Sequence, residues 1–471
     1  MRLKRLLLAG AASALLMAEA AQSGLAQTAA AGAAPVITAN TPIAFLDDIH
    51  GSQAMAWVRA QNLHTTSTLE KDPRYAGFYK TVLSGLQAPD RLAMPSLMGG
   101  AVWNFWQDAA HPHGIWREAS QASYLKKIPD WTVRLDVDAL AKQDGINWVF
   151  KSANCLAPAD EHCLVALSNG GEDAETLREF NTKTGQFVPG GFVFSRSKQT
   201  AAWVDANTIL LARDWDGKGT TLTPSGYPYV VKTMIRGAAA GQEAELYRGE
   251  PSDMAVMPMV LTDGDGHQLV LIQRNVNFFE TRYAVVEGGK SLRWLALPAK
   301  SEIQGMLKGR LIVSVEEDWH PAGQAAIPAG SLLSVDPAAA EQGVQVIFTP
   351  GASQSIAQVG VTKNTVVVSL FDNVRGRAIR FTAPQAGQPW QATPLALPDM
   401  TSIHIVDTDH ASNTAFLSVE GYLEPSQLWL LEGKGQPRKV KSAPARFKTD
   451  NLVTEQFWAP STDGPRSPYF I

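Results

Sequence analysis

Several short stretches carry residue types that do chemistry elsewhere. His111-Pro112-His113-Gly114 brings two imidazoles together, and Glu316-Glu317-Asp318 sets three carboxylates beside Trp319-His320. Asp263-Gly264-Asp265-Gly266-His267 reads like the opening of a calcium-binding loop. Such a loop needs a bidentate Glu at its twelfth position, which is Arg274 here. The stretch also lies between two strand-like runs, so a tight hairpin is expected. The histidine pair has no third ligand at a supporting spacing and reads as a surface turn. The acidic run follows a strand and reads as a solvated loop. No catalytic residue, metal ligand or cofactor site is assigned from these stretches.

Cys155 and Cys163 are the only cysteines, and they flank the loop from Leu156 to His162. Paired as a hairpin, the flanking segments would let the sulfurs face each other and close a small ring. The alternative is two free thiols in adjacent strands. The start of the chain bears on that choice. Arg2, Lys4 and Arg5 precede the apolar run from Leu6 to Met17, and small residues suited to cleavage follow at 18–20 or 24–26. A signal peptide is expected over 1–26, then an Ala/Gly/Pro leader over 27–40, and a periplasmic or secreted product. An oxidising compartment favours the disulfide. The net charge of −4 and the lack of a basic stripe give no nucleic-acid footprint, and no later stretch reads as a membrane helix.

The elements needed to position any site follow a repeat. A helical arm is expected over 41–92, with Ser52 as the cap of a helix from Gln53 to Leu69 and a second helix from Tyr75 to Leu86. From about Leu97 the pattern becomes strands and stays so. Middle strands recur at Ala101–Trp106, Cys163–Leu167, Thr208–Ala212, Gln268–Ile272, Arg310–Val315, Thr365–Leu370 and Thr414–Val419. The period is roughly 50 residues, which is propeller-blade spacing. In the clearest copy, Phe371-Asp372-Asn373 and Gly376 supply the turn after the middle strand, Gln385 to Pro389 break the next one, and a last strand runs from Trp390 to Leu397. Similar last strands are expected at Trp294–Pro298, Val346–Pro350 and Leu395–Pro398. The fold class is all-β: a seven-bladed β-propeller over 97–442, preceded by the short helical arm. Blade three is expected to be the least regular, with a loop inserted from Asp214 to Pro228.

An ordered series of motifs resembles prolyl oligopeptidase family serine peptidases. It includes Phe45-Leu46-Asp47-Asp48, Ala56-Trp57-Val58-Arg59-Ala60-Gln61-Asn62, Asn104-Phe105-Trp106-Gln107-Asp108 and Gly114-Ile115-Trp116-Arg117. It continues through Asn147-Trp148-Val149-Phe150-Lys151, Trp203-Val204-Asp205-Ala206 and Ser225-Gly226-Tyr227-Pro228 to Glu455-Gln456-Phe457 and Pro468-Tyr469-Phe470-Ile471. Phe45 departs from the Trp common in the family. The resemblance implies a propeller that covers an α/β-hydrolase domain and restricts it to short, proline-containing peptides. It further implies that 443–471 leads toward that domain, which is expected to be missing from this chain. Ser168-Asn169-Gly170-Gly171 matches part of the family's nucleophile motif, but Ala166-Leu167 replace the preceding glycines and no strand–turn–helix context surrounds it. It reads as a blade turn.

The function expected is therefore the substrate-gating propeller portion of an exported serine peptidase, inactive by itself. Its expected partners are short peptides and, where the enzyme is encoded in two pieces and the chain is not a truncated product, a separately encoded hydrolase domain. The alternative is a stand-alone exported propeller that binds peptides or a protein partner, since fold does not dictate function. A propeller glycosidase or lyase ranks last, because no convergent carboxylate or histidine set is present.

Overall fold

The computed structural model describes residues 43–48, 51–239, 241–384 and 388–471. The expected signal peptide and leader lie outside the described residues. The chain divides between Pro89 and Asp90 into two compact units. In the first, helix α1 spans Ser52–Leu69 and α2 spans Tyr75–Leu86. Ser52 is not the cap. Gly51 holds the flanking extended conformation, and its carbonyl accepts from the Met55 N–H at 2.9 Å, so Ser52 is already helical. Met55, Leu63, Phe78 and Val82 are exposed.

The second unit is a seven-bladed β-propeller. Its blades cover 96–136, 148–197, 200–248, 255–294, 301–348, 354–394 and 401–442. Each is an antiparallel meander of consecutive strands, and the seven expected middle strands are the second strands of the blades. First strands neighbour first strands from blade 3 to blade 7 and back to blade 1. They therefore ring the central channel. Seven apolar clusters occupy the seven seams between blades, including Val102 and Tyr124 of blade 1 against Phe416 and Leu428 of blade 7.

Several local expectations need correcting. Blade 3 is a regular four-stranded sheet, and the irregular blade is the second, whose third strand pairs with both Gln186–Phe187 and Val193–Ser197. Strands do not run unbroken past Leu97. A helix at Val137–Asp144 is capped by the Asp136 carboxylate, which accepts from the Ala139 N–H at 2.9 Å, and it ends at left-handed Gly145. The hairpin after Asp372 turns on Asn373 and Val374, both at positive φ, and not on Gly376. Gly376 sits within the strand Arg375–Thr382 because a β-carbon there would come 2.4 Å from the Thr401 carbonyl oxygen of blade 7.

The last strands also end sooner than expected, at Trp294 and Pro394, with Val344–Phe348 the corresponding strand of blade 5. In both early cases the next leucine turns inward. Leu295 and Leu395 are buried at the seams, and their N–H groups still bond Tyr283 and Ala378 of the third strands at 2.9 Å.

First strands have one unpaired edge, which a sheet must cover or lose. Side chains from neighbouring blades cover it here. Asn154 of blade 2 donates to Ala201 O at 2.8 Å, and Gln268 of blade 4 donates to Val204 O at 2.9 Å. Gln358 of blade 6 accepts from Ile405 N at 2.7 Å, and Asp407 of blade 7 accepts from Leu97 N at 2.8 Å. The last of these closes the ring, because no strand is shared between blades 7 and 1. Replacing Asp407 by Ala strands a half-buried N–H at a cost of about 1–3 kcal/mol. The expected result is faster hydrogen exchange at 96–98 and 401–408, with the inner strand of blade 4 unaffected. Uniform loss of protection around the ring would contradict a local closure.

Candidate functional site

The meander puts the blade-to-blade connections and the second-to-third strand loops on one face, and the tight first-to-second strand turns on the other. On the first face the segment entering the propeller meets the one leaving it. Arg446 and Asp90 pair at 2.6 Å, both about half exposed. The incoming segment is pinned at successive residues. The Arg91 guanidinium lies 4.4 Å from the centre of the Trp106 ring, Tyr124 Oη donates to Ala93 O at 2.7 Å, and Asn104 donates to Met94 O at 3.0 Å. Arg117 stacks on Trp106 as well, at 4.6 Å, and on Trp131 at 4.5 Å. Burial lowers its pKa to about 10.

The outgoing segment ends in a hairpin, Gln456–Pro460 with Arg466–Phe470, seated on blades 6 and 7. Gln456 accepts from Arg375 Nε at 2.6 Å and donates to Asn373 O at 2.7 Å, and the Phe470 and Tyr422 rings lie 5.6 Å apart. Beneath is an open cavity of about 680 Å³, lined among others by Phe371, Arg375, Glu420, Phe447 and Phe470. Aromatic walls with a few charged groups suit a peptide-sized guest. Val374, at φ 68, also lines it. A β-branched residue in that region is strained by roughly 1–3 kcal/mol. Phe278 and Phe279 of blade 4 project from the same face, 79% and 72% exposed.

The stretches singled out by residue type stay apart. His111 pairs with Asp108 at 3.1 Å, and His113 Nδ1 lies 2.9 Å from Trp148 O. Glu317 and Asp318 accept from the backbone N–H groups of Lys300 and Ala329. Asp263 organises a hairpin turn. Among the described residues no three metal-ligating side chains converge, and no serine hydroxyl bonds a histidine ring. Ser168 lies within the strand His162–Asn169, opposite Val149, with its hydroxyl buried and unpartnered. That is a ladder position and not a nucleophile turn. Cys155 and Cys163 face each other across the first two strands of blade 2 and are disulfide-bonded, with an S–S distance of 1.97 Å.

Two carboxylates escaped sequence reasoning. Burial pushes Glu175, beside Lys151, up to about 7. Glu179 has no exposed side-chain surface. It accepts from Arg236 at 2.8 and 2.9 Å and from Phe192 N at 2.8 Å, and it pairs with His162 Nδ1 at 2.9 Å. Burial works to raise this carboxyl, but the donors outweigh it and hold it below the usual carboxylate range. No local pattern announces either one, because their partners are distant in the sequence and, for Arg236, belong to another blade.

The chain can be compared with known proteins. Residues 37–443 match the family described as prolyl oligopeptidase, N-terminal beta-propeller domain. An uncharacterized peptidase of Sinorhizobium fredii is 39% identical over 446 residues, covering 92% of this chain and 61% of the relative. An uncharacterized peptidase of Rickettsia prowazekii is 26% identical, covering 91% and 61%. Among solved structures, a post-proline cleaving enzyme from Rickettsia typhi superposes with a TM-score of 0.83 at 24% identity, covering 91% of this chain and 64% of that one. Oligopeptidase B from Leishmania major gives 0.65 at 12%, covering 88% and 58%. The chain thus spans about three fifths of the length of the relatives it matches.

The Glu179 cluster gives a signed pH prediction. Its folded pKa is depressed, so its stabilisation is complete above the ordinary Glu value of about 4.3 and is lost as pH falls through the folded value. Glu179→Gln should cost about 3 kcal/mol at pH 7 by leaving Arg236 without its carboxylate. In urea melts the gap from the parent protein should shrink between pH 5 and pH 3. A gap that does not change with pH would contradict the assignment. Seven blades of consecutive strands, the matched span and the close relative lead to one conclusion: the chain belongs to the prolyl oligopeptidase family and carries its N-terminal β-propeller domain.

Proposed function

We propose that this propeller is the substrate gate of an exported prolyl-oligopeptidase-type serine peptidase, admitting short proline-containing peptides to a hydrolase domain. The observation that carries the reading is the face where Asp90 and Arg446 bring the incoming and outgoing segments together beside an aromatic-lined cavity. A second domain attached through both segments would sit over that face. Export is supported by the basic and apolar start of the sequence and by the bonded pair Cys155–Cys163. The solved neighbour from Rickettsia typhi is described as a post-proline cleaving enzyme, which supports the peptide class.

In this reading the 471-residue chain does not cleave peptides by itself, because its described residues assemble no nucleophile with a base. The hydrolase chemistry belongs to a partner domain. The cavity also favours a second reading, a stand-alone exported module that captures peptides or a protein partner. One experiment separates them. The purified 471-residue chain is given a proline-containing chromogenic reporter, and binding of the matching uncleavable peptide is measured by calorimetry. The gate reading expects neither turnover nor binding tighter than about 1 mM, roughly −4 kcal/mol. Micromolar binding without turnover supports the binding module. Turnover blocked by a serine-directed inhibitor would overturn both.

A further inference from the structure

The turn Thr262–Gln268 joins the first two strands of blade 4 on the face opposite the paired segments. Blade 4 has blades 3 and 5 as its neighbours, yet Gly264 reaches much farther. A β-carbon built on Gly264 would come 2.1 Å from the His410 carbonyl oxygen and 2.8 Å from Lys363 Cγ. His410 lies in the corresponding turn of blade 7, and Lys363 in that of blade 6. In a ring of seven, blade 7 stands across the channel from blade 4. Contact between these two turns therefore has to cross the channel mouth.

The turn is built to hold that reach. The Asp263 carboxylate, 1% exposed, accepts from the N–H groups of Asp265 and His267 at 3.0 Å and pairs with His267 Nδ1 at 2.9 Å. It also accepts from Gly309 N of blade 5 at 2.7 Å, which anchors the base of the turn to its neighbour. On the far side Lys363 N bonds Ser412 O at 2.9 Å, and Asn364 N bonds the Asn413 side chain at 2.8 Å, so blades 6 and 7 present one joined rim. Only a residue without a side chain fits at the point of contact.

We propose that this turn is a bar across the channel mouth, making the channel blind at that face, so that a peptide cannot reach the opposite face through it. The role rests on the gate reading, but the bar itself is tested without any peptidase. The two native cysteines are bonded, so Lys363→Cys supplies a single free thiol beneath Gly264. Its labelling by a small maleimide is compared with that of Lys290→Cys on an exposed hairpin turn. The bar predicts labelling at least tenfold slower at position 363. Adding Gly264→Val should remove most of that protection and raise hydrogen exchange at 409–413, across the ring. Adding Asp265→Ala should leave both unchanged. Equal labelling at 363 and 290 in otherwise unaltered protein overturns the bar, even if the Gly264 variant does not fold. Unchanged protection in a folded Gly264→Val protein overturns it as well. Loss of the gate reading in the peptide assay leaves these outcomes standing.

Discussion

Every blade leaves one strand edge facing the central channel, and the ring depends on how those edges are satisfied. A sheet edge inside a molecule cannot keep unpaired N–H and C=O groups at low cost. Here the remedy comes from the neighbouring blade: Asn154, Gln268, Gln358 and Asp407 each reach sideways to a backbone group of an adjoining first strand. The pairing of first and second strands shifts register between Phe150 and Ser152, Trp203 and Asp205, Ile303 and Gly305, Ile356 and Gln358, and Ile405 and Asp407. A bulge twists its strand and re-aims the residues beside it. Gln358 and Asp407 both stand at such a shift and both span a seam. The repeat therefore carries a joint as well as a fold.

The seams differ in kind from the attachments. Each seam holds an apolar cluster, and every fully buried Leu, Ile or Phe contributes about 1.5–3 kcal/mol. The incoming and outgoing segments meet through a half-exposed ion pair, which is worth at most about 1 kcal/mol. The incoming segment is held separately, through Arg91 on Trp106 and the carbonyls of Ala93 and Met94, and the outgoing one through Gln456 on Arg375 and Asn373. The seams are thus firm, while the ion pair that joins the two segments is weak.

The repeat was legible because second strands are buried on both sides. Thr365–Asp372 has six buried residues in succession, and β-branched runs of that kind recur at blade spacing. The edges of the reading were less secure for physical reasons. Gly376 looked like a turn residue, since glycine signals turns, but it is kept for close approach to Thr401. Val374 does not look like a turn residue, yet it takes a left-handed conformation. Leu295 and Leu395 extended the apparent strands because an inward-turning connector leucine has the same apolar character as a strand leucine. The bulges were invisible, since one extra residue barely disturbs an alternation only a few residues long.

The same contrast explains why site chemistry was harder to read than fold. Asp263 to His267 contains the residue types of a calcium loop, but its carboxylate is consumed by N–H donors of its own turn and of Gly309. Glu179 has no motif around it, yet it gathers Arg236, His162 and Phe192 from separate parts of the chain. Residue type states what a side chain can donate or accept. Only the three-dimensional neighbourhood states whether that capacity is already used. In this propeller the conspicuous acidic and histidine stretches are spent on turns and nearby backbone groups. The face with unspent aromatic surface and an open cavity is the one where the chain enters and leaves.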